Sequence, residues 1–424
     1  MFIRYFCKYT RNPYSNLQIF QMTQDAALGK KPKVLFITPV IPNVDGGGTE
    51  KRAHHWLTHL NKSYNVEVLF VSTLGAATNL DGVNEMKIVR IDYPPLYRKF
   101  KLIKVVGSIL LNKKIESGAT AFGWLPLRSE TKEFLKRLYK GKPFEKIICF
   151  RTFCTEFALY INQITKTKWL EMDSDDLESQ TRRKLAILYA KNNLYSRSAK
   201  IWFASRQYDL IEHTLKLFNH VYVCSPEDEQ ILVNRLPGTK ISTFRNKILD
   251  IPREHSLAAN RRSILFVGSL NYYPNEHAIL WFVKNVFLRL KAENQEWEFN
   301  IAGFSASVTL KQKLNLPGVV LHSNLPSLDQ LYDKSSIIIA PLFAGGGTKL
   351  KVIEAMSFRR PVVATYEAVH GLGLEDGKHY LLGSTKELFY EYCKKLAEDN
   401  AFHKVIREAA HRQFKEEFSY KLDE

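Results

Sequence analysis

The stretch PLFAGGGTKLKVIEAM, Pro341 to Met356, sets three glycines, two lysines and one carboxylate in a single short run. It follows SIIIAP (336–341), an apolar run of the length of a buried strand. Gly345, Gly346 and Gly347 let backbone N–H groups approach a ligand with no Cβ in the way. The helix expected next offers unpaired N–H groups and a positive dipole end, which suits an anion. Lys349 and Lys351 bring positive charge to the same place. Glu354 lies three residues beyond Lys351, about 4.5 Å further along the axis and on the same face. A diphosphate at the helix start would meet the lysines. A ribose one step deeper would meet the carboxylate, which can accept from two neighbouring hydroxyls. The same residues can also form a plain turn and a surface ion pair. The GxxxxGK[ST] pattern does not occur, so the segment is not a P-loop.

Two further clusters carry chemistry. Gly46, Gly47 and Gly48 repeat the strand, glycine turn and helix order between KVLFITPVIP (33–42) and TEKRAHHWLTHL (49–60). They are candidates for a phosphate or acceptor loop. EMDSDD (171–176) closes another apolar run, so its acids are expected at a strand end facing a cleft. The twelve histidines and five cysteines show no metal-ligand spacing, and the odd thiol count suits reduced cysteines in a cytoplasmic protein. His54 and His55 are expected on a helix surface.

The elements that must hold these groups alternate. Strands are expected at 66–72, 86–94, 146–150, 168–173 and 220–225, with helical stretches between them. The polar segment DIPREHSLAANRR (250–262) reads as a linker. The alternation then restarts with SILFVGSL (263–270), a helix over 275–291, WEFNIAG (297–303), SIIIAP and PVVAT (361–365). A mostly helical tail covers 386–417. This predicts an α/β protein of two doubly wound, Rossmann-like domains, 32–250 and 251–424, facing across a cleft. Ligands in such sheets bind beyond the carboxyl ends of strands. Residues 1–31 are expected to be a disordered extension, with Met22 a candidate start.

The 424 residues carry 61 Lys and Arg against 43 Asp and Glu, a net charge of +18. Such an excess suits an anionic partner. No helix-turn-helix, zinc or RNP signature accompanies it, so nucleic acid is not the expected partner. The stretch YPPLYRKFKLIKVVGSILLNKKI (93–115) has six basic residues, no acid and apolar residues at helical spacing. Its part 96–114 fits an anionic membrane surface, or equally a helix packed on its own sheet. No apolar run reaches the roughly 18 residues needed to span a bilayer. The expected location is cytoplasmic, peripheral on the inner face of the membrane.

PLFAGGGTKLKVIEAMSFRRPVVAT closely resembles the donor-binding segment of family 4 retaining glycosyltransferases of the GT-B fold. The likeness continues in ILFVGSLNYYPNEHAILWF, FNIAG, LPSLDQLYDKSSIIIAPL and the closing FSY, and more loosely in PVIPNVDGGGTEKRAHHWLTHL and VYVCSPEDEQIL. The resemblance implies transfer of a sugar from a nucleotide-diphosphate sugar to a glycan or lipid-linked acceptor, with retention, in cell-surface polysaccharide or lipopolysaccharide synthesis. It implies that Glu354 binds the ribose, as the second glutamate of the family's E-x7-E motif. The first glutamate falls at Gly346, so sugar contacts would come from the backbone N–H groups of Gly345 to Thr348. The Arg and Lys that the family often carries after its FVG strand are replaced by GSLNYYPN. This shifts weight to Lys349 and Lys351, with Ser269 a minor donor contact. Asp173 is the candidate for the strand-end residue that touches the transferred sugar, with Asp175 and Asp176 behind it. Lys351 is the candidate for leaving-group stabilisation. No cofactor and no essential metal are expected. The alternatives are a GT-B nucleotide-sugar epimerase and a non-catalytic nucleotide-sugar-binding protein.

Overall fold

The computed structural model describes residues 31–72, 86–90, 127, 129–251, 260–325 and 327–421. Residues 1–30 of the expected extension, the whole of the basic stretch 93–115 and part of the linker lie outside them.

Seven parallel strands form the first sheet: β1 Lys33–Thr38, β2 Asn65–Ser72, β3 Met86–Arg90, β4 Lys146–Phe150, β5 Trp169–Asp175, β6 His220–Val223 and β7 Ile241–Thr243. Their order is β3-β2-β1-β4-β5-β6-β7. A two-residue strand, β8 Ile248–Leu249, precedes the second sheet. That sheet holds β9 Ser263–Val267, β10 Glu298–Gly303, β11 Val319–Ser323, β12 Ile337–Ala340, β13 Val362–Ala364 and β14 Leu381–Leu382. Its order is β11-β10-β9-β12-β13-β14, again all parallel. The central strands VLFI, IICF, ILFV and IIIA are buried end to end. Covering both faces of a sheet demands such unbroken apolar runs.

Each sheet reverses its winding at one place: between β1 and β4 in the first, between β9 and β12 in the second. Ligands of doubly wound sheets bind at this switch point. Gly46–Gly48 follow β1, and the glycine turn 345–347 follows β12. Sequence therefore put both glycine clusters at the switch points.

The chain crosses from one sheet to the other through residues 244–250. It returns at its end, where β15 Ser419–Tyr420 pairs with β8. Here one expectation is corrected. His55 does not lie on a helix surface: it is 7% exposed. Its ring is stacked between Phe244 and Tyr420, with centroids 4.7 Å from each. The two crossings cover this side of the helix, which helical spacing alone could not show.

Candidate active site

The turn after β12 uses its glycines for conformation. Gly345 has φ +149° and Gly347 φ +61°, both costly for side-chain-bearing residues. Gly346 is needed for space: a Cβ there would come within 1.9 Å of both the Thr181 hydroxyl and an Asp176 carboxylate oxygen. The turn thus presses directly on the first sheet's side of the cleft. Among the described residues, no acceptor meets the backbone N–H groups of Gly345 to Thr348. Free N–H groups before a helix make an anion-binding concavity. The helix that follows, Leu350–Ser357, buries Val352, Ile353, Ala355 and Met356 and leaves Lys351 and Glu354 half-buried.

Lys351 and Glu354 share a face but do not pair with each other. The Lys351 ammonium donates to Asn275 Oδ1 at 3.0 Å and sits 4.1 Å from the centroid of the Phe266 ring. Among the described residues it has no carboxylate partner. Burial, then the charge of Lys349, lowers its pKa to about 7. Gly268 makes room for it, since a Cβ there would stand 2.9 Å from Lys351 Nζ. Lys349 donates to the carbonyls of Gly346 (2.7 Å) and Gly347 (2.6 Å), bracing the turn, and burial lowers its pKa. Glu354 accepts from the Tyr332 hydroxyl at 3.1 Å and forms an ion pair with Lys51 across the cleft. Ser269 is exposed, and its carbonyl, not its hydroxyl, is bonded, accepting from Asn275 Nδ2.

The first sheet contributes an ionic layer that differs from expectation. Asp173 does not face the cleft. It is 0% exposed, and Arg52 grips both its oxygens at 2.7 and 2.8 Å, with the Trp56 indole N–H donating to Oδ2. A register shift between Asp173 and Asp175 on β5 turns the strand end over, so the order is reversed: Asp173 lies behind, and Asp175 and Asp176 line the cleft. Arg151, the first residue after β4, ties them together. It donates to Asp175 (2.8 Å), Asp176 (2.9 Å) and Glu178 (2.7 Å). Arg151 and Asp175 have φ +68° and +64°. Such backbone costs about 1–3 kcal/mol per residue and collects at functional sites. Burial works to raise the Asp176 carboxyl, but Arg151 and the Thr181 hydroxyl hold it below its ordinary value. Burial raises that of Asp175.

A cavity of about 450 Å³ lies between these layers, bordered by Gly48, Arg151, Asp176, Tyr272, Gly346 and Thr348. That volume suits a small ligand. Of the first glycine cluster only Gly48 reaches it, together with Thr49, while Gly46 and Gly47 pack on the Glu50 side chain. Asn246 spans the two halves, donating to Thr348 Oγ1 at 2.7 Å and accepting from Arg52 at 2.8 Å.

Sequence reasoning missed Lys51, Arg52, Arg151, Asn246 and Asn275. Arg151 was detectable by the rule that selected EMDSDD, as a charge at the carboxyl end of an apolar run. Arg52 was detectable as a charge four residues before Trp56, on the face that Ala53 and Trp56 bury. The asparagines carried no signal.

Residues 261–399 match the family model described as glycosyl transferases group 1. Over 92% of this chain the fold matches Staphylococcus aureus TarM in a complex with UDP (97% of that chain, TM-score 0.61, 12% identity). It likewise matches sucrose-phosphate synthase from Thermosynechococcus elongatus, over 92% of this chain and 95% of that one (TM-score 0.62, 13% identity). Anabaena HepE with UDP and glucose matches over 92% and 96% (TM-score 0.57, 14% identity). A curated relative, an uncharacterized 44.6 kDa protein in the cps region of Klebsiella pneumoniae, is 22% identical over 294 residues, 63% of this chain and 69% of that one. The protein is a glycosyltransferase with a GT-B fold: two Rossmann-like sheets whose switch points face one cleft.

Proposed function

We propose that the cleft binds a nucleotide-diphosphate sugar and transfers the sugar, with retention, to a glycan or lipid-linked acceptor in cell-surface polysaccharide synthesis. The observation that carries this is the helix 350–357, with four free N–H groups before it, Lys351 unpaired by any described carboxylate, and Glu354 one turn on. Glu354 takes the ribose hydroxyls, exchanging Lys51 for them. The N–H groups, Lys349 and Lys351 hold the diphosphate without a metal ion. Lys351 stabilises the charge that grows on the leaving oxygen, which itself takes the acceptor proton. Charge held in place beforehand is an effective way to lower such a barrier. Asp176, at the turn, faces the transferred sugar, and Asp173 positions Arg52 and through it Asn246 and Thr348. The cps-region relative supports the polysaccharide assignment. Among the described residues no helix is long and apolar enough to cross a membrane. We place the protein in the cytoplasm, at the inner membrane face where lipid-linked acceptors are reached.

The carboxylates bordering the cleft keep a nucleotide-sugar epimerase as the second reading. Release of nucleoside diphosphate separates the two. A transferase releases it in step with added acceptor, whereas acceptor-independent interconversion of the nucleotide sugar would establish the epimerase.

Lys351 also predicts a pH dependence. Its amine is half deprotonated near pH 7 in the free cleft. A bound diphosphate favours the charged form and raises that pKa. Binding above pH 7 must therefore take up a proton, and Kd for a nucleoside diphosphate should rise with pH by up to about tenfold per unit. Calorimetry in buffers of different ionisation heat reads the uptake directly. No proton uptake at pH 8 would show that Lys351 does not meet the diphosphate.

A further inference from the structure

A second cavity, of about 670 Å³, lies behind the cleft where the chain crosses between the sheets. His59 and Lys62 of the helix Gly48–Asn61 and its C-cap, Phe244, Arg245 and Lys247 of the first crossing, and Tyr420 of the second border it. Arg245 and Lys247 line this cavity, while Asn246 between them lines the cleft. The wall carries Lys62, Arg245, Lys247 and Lys421 against two acids, Glu229 and Glu417. Both acids are engaged: Glu229 accepts from the Thr243 hydroxyl, and Glu417 stands 3.8 Å from Arg245. Among the described residues, no carboxylate lies within ion-pair distance of Lys62 or Lys247. The rest of the wall is aromatic, with Phe244 and Tyr420 enclosing the His55 ring. Burial, then the charges of Arg52 and Lys247, holds His55 neutral, its pKa lowered to about 3. The field in this cavity is therefore positive.

We propose that this rear cavity is a binding site for an anionic saccharide, a sugar bearing a phosphate or a carboxylate, separate from the cleft. Lys62 and Lys247 gather the anion, aromatic side chains border the sugar, and the volume lies in the range of small-ligand sites. The anion has two sources: a free sugar phosphate, or an acidic residue of a glycan.

The test is calorimetry at low ionic strength in the Lys349→Ala/Lys351→Ala protein, whose cleft has lost the two lysines assigned to the diphosphate. The probes are glucose 1-phosphate, glucuronate and glucose. We expect glucose 1-phosphate or glucuronate to bind and glucose not to. The anion that binds names the source. Adding Arg245→Gln and Lys247→Gln should weaken that binding at least tenfold. Lys62→Gln, at an exposed position, should weaken it severalfold when added to the same Lys349→Ala/Lys351→Ala protein. Glucose binding as well as the anionic sugars, neither anionic sugar binding, or unchanged affinity in the Lys62→Gln protein would each overturn the assignment. The first reading of the cleft does not enter this experiment, so the two stand or fall separately.

Discussion

Lys351→Ala should lower kcat by about 10²–10³, while donor KM changes far less. The estimate is the usual loss when one preorganised donor to a developing oxyanion is removed. Lys351 meets the conditions for such a loss. It is held by Asn275 and Phe266 beside the glycine turn, and no described carboxylate neutralises it. Its charge is disfavoured in the empty cleft and favoured as negative charge builds on the leaving oxygen. The interaction therefore strengthens along the reaction, which appears in kcat. Steady-state kinetics with the nucleotide sugar decides the point. A rise in KM with kcat unchanged would make Lys351 a binding group alone.

Arg52→Met should cost about 3–5 kcal/mol of stability, the usual loss when one partner of a buried ion pair is removed. Arg52 is 1% exposed and Asp173 0%. The guanidinium also donates to the Phe244 carbonyl and Asn246 Oδ1 at 2.8 Å each. Removing it leaves a carboxylate inside the fold with the Trp56 indole and one backbone N–H as its remaining donors. Adding Asp173→Leu should recover part of the loss, because no charge is then left buried. Urea denaturation of the single and double variants measures both terms. A single-variant loss under about 1 kcal/mol would show that Arg52 can leave Asp173 to water, contrary to the packing.

The central strands and the glycine turn were legible because their signals are local. Unbroken apolar runs mark doubly covered strands, and three glycines before a helix mark a backbone that must come close to something. β7, β11, β14 and the β8–β15 pair were not legible: they hold two to five residues and are half-buried at best along most of their length. Their pairing is set by neighbours distant in sequence. In the site, Gly345–Gly347, Thr348, Lys349, Lys351 and Glu354 were brought together because one turn and one helix carry them all. Asp173 was misplaced because a bulge at the end of β5 reverses which acid faces the cleft, and no periodicity reports a bulge. The Arg52 and Arg151 networks join residues up to 194 positions apart, and such contacts leave only a charge in an apolar setting as their trace.

The central claim is that helix 350–357 receives a nucleoside diphosphate, and one titration tests it most directly. UDP, present in several of the structurally similar complexes, is titrated into wild-type protein and into Glu354→Gln by isothermal calorimetry, with other nucleoside diphosphates in parallel. A charge-assisted hydrogen bond to the ribose is worth about 1.5–3 kcal/mol, so Kd should rise by about tenfold or more in the variant, with one site per chain in both proteins. Equal Kd in the two proteins, or no nucleoside diphosphate binding to the wild type, would contradict the account.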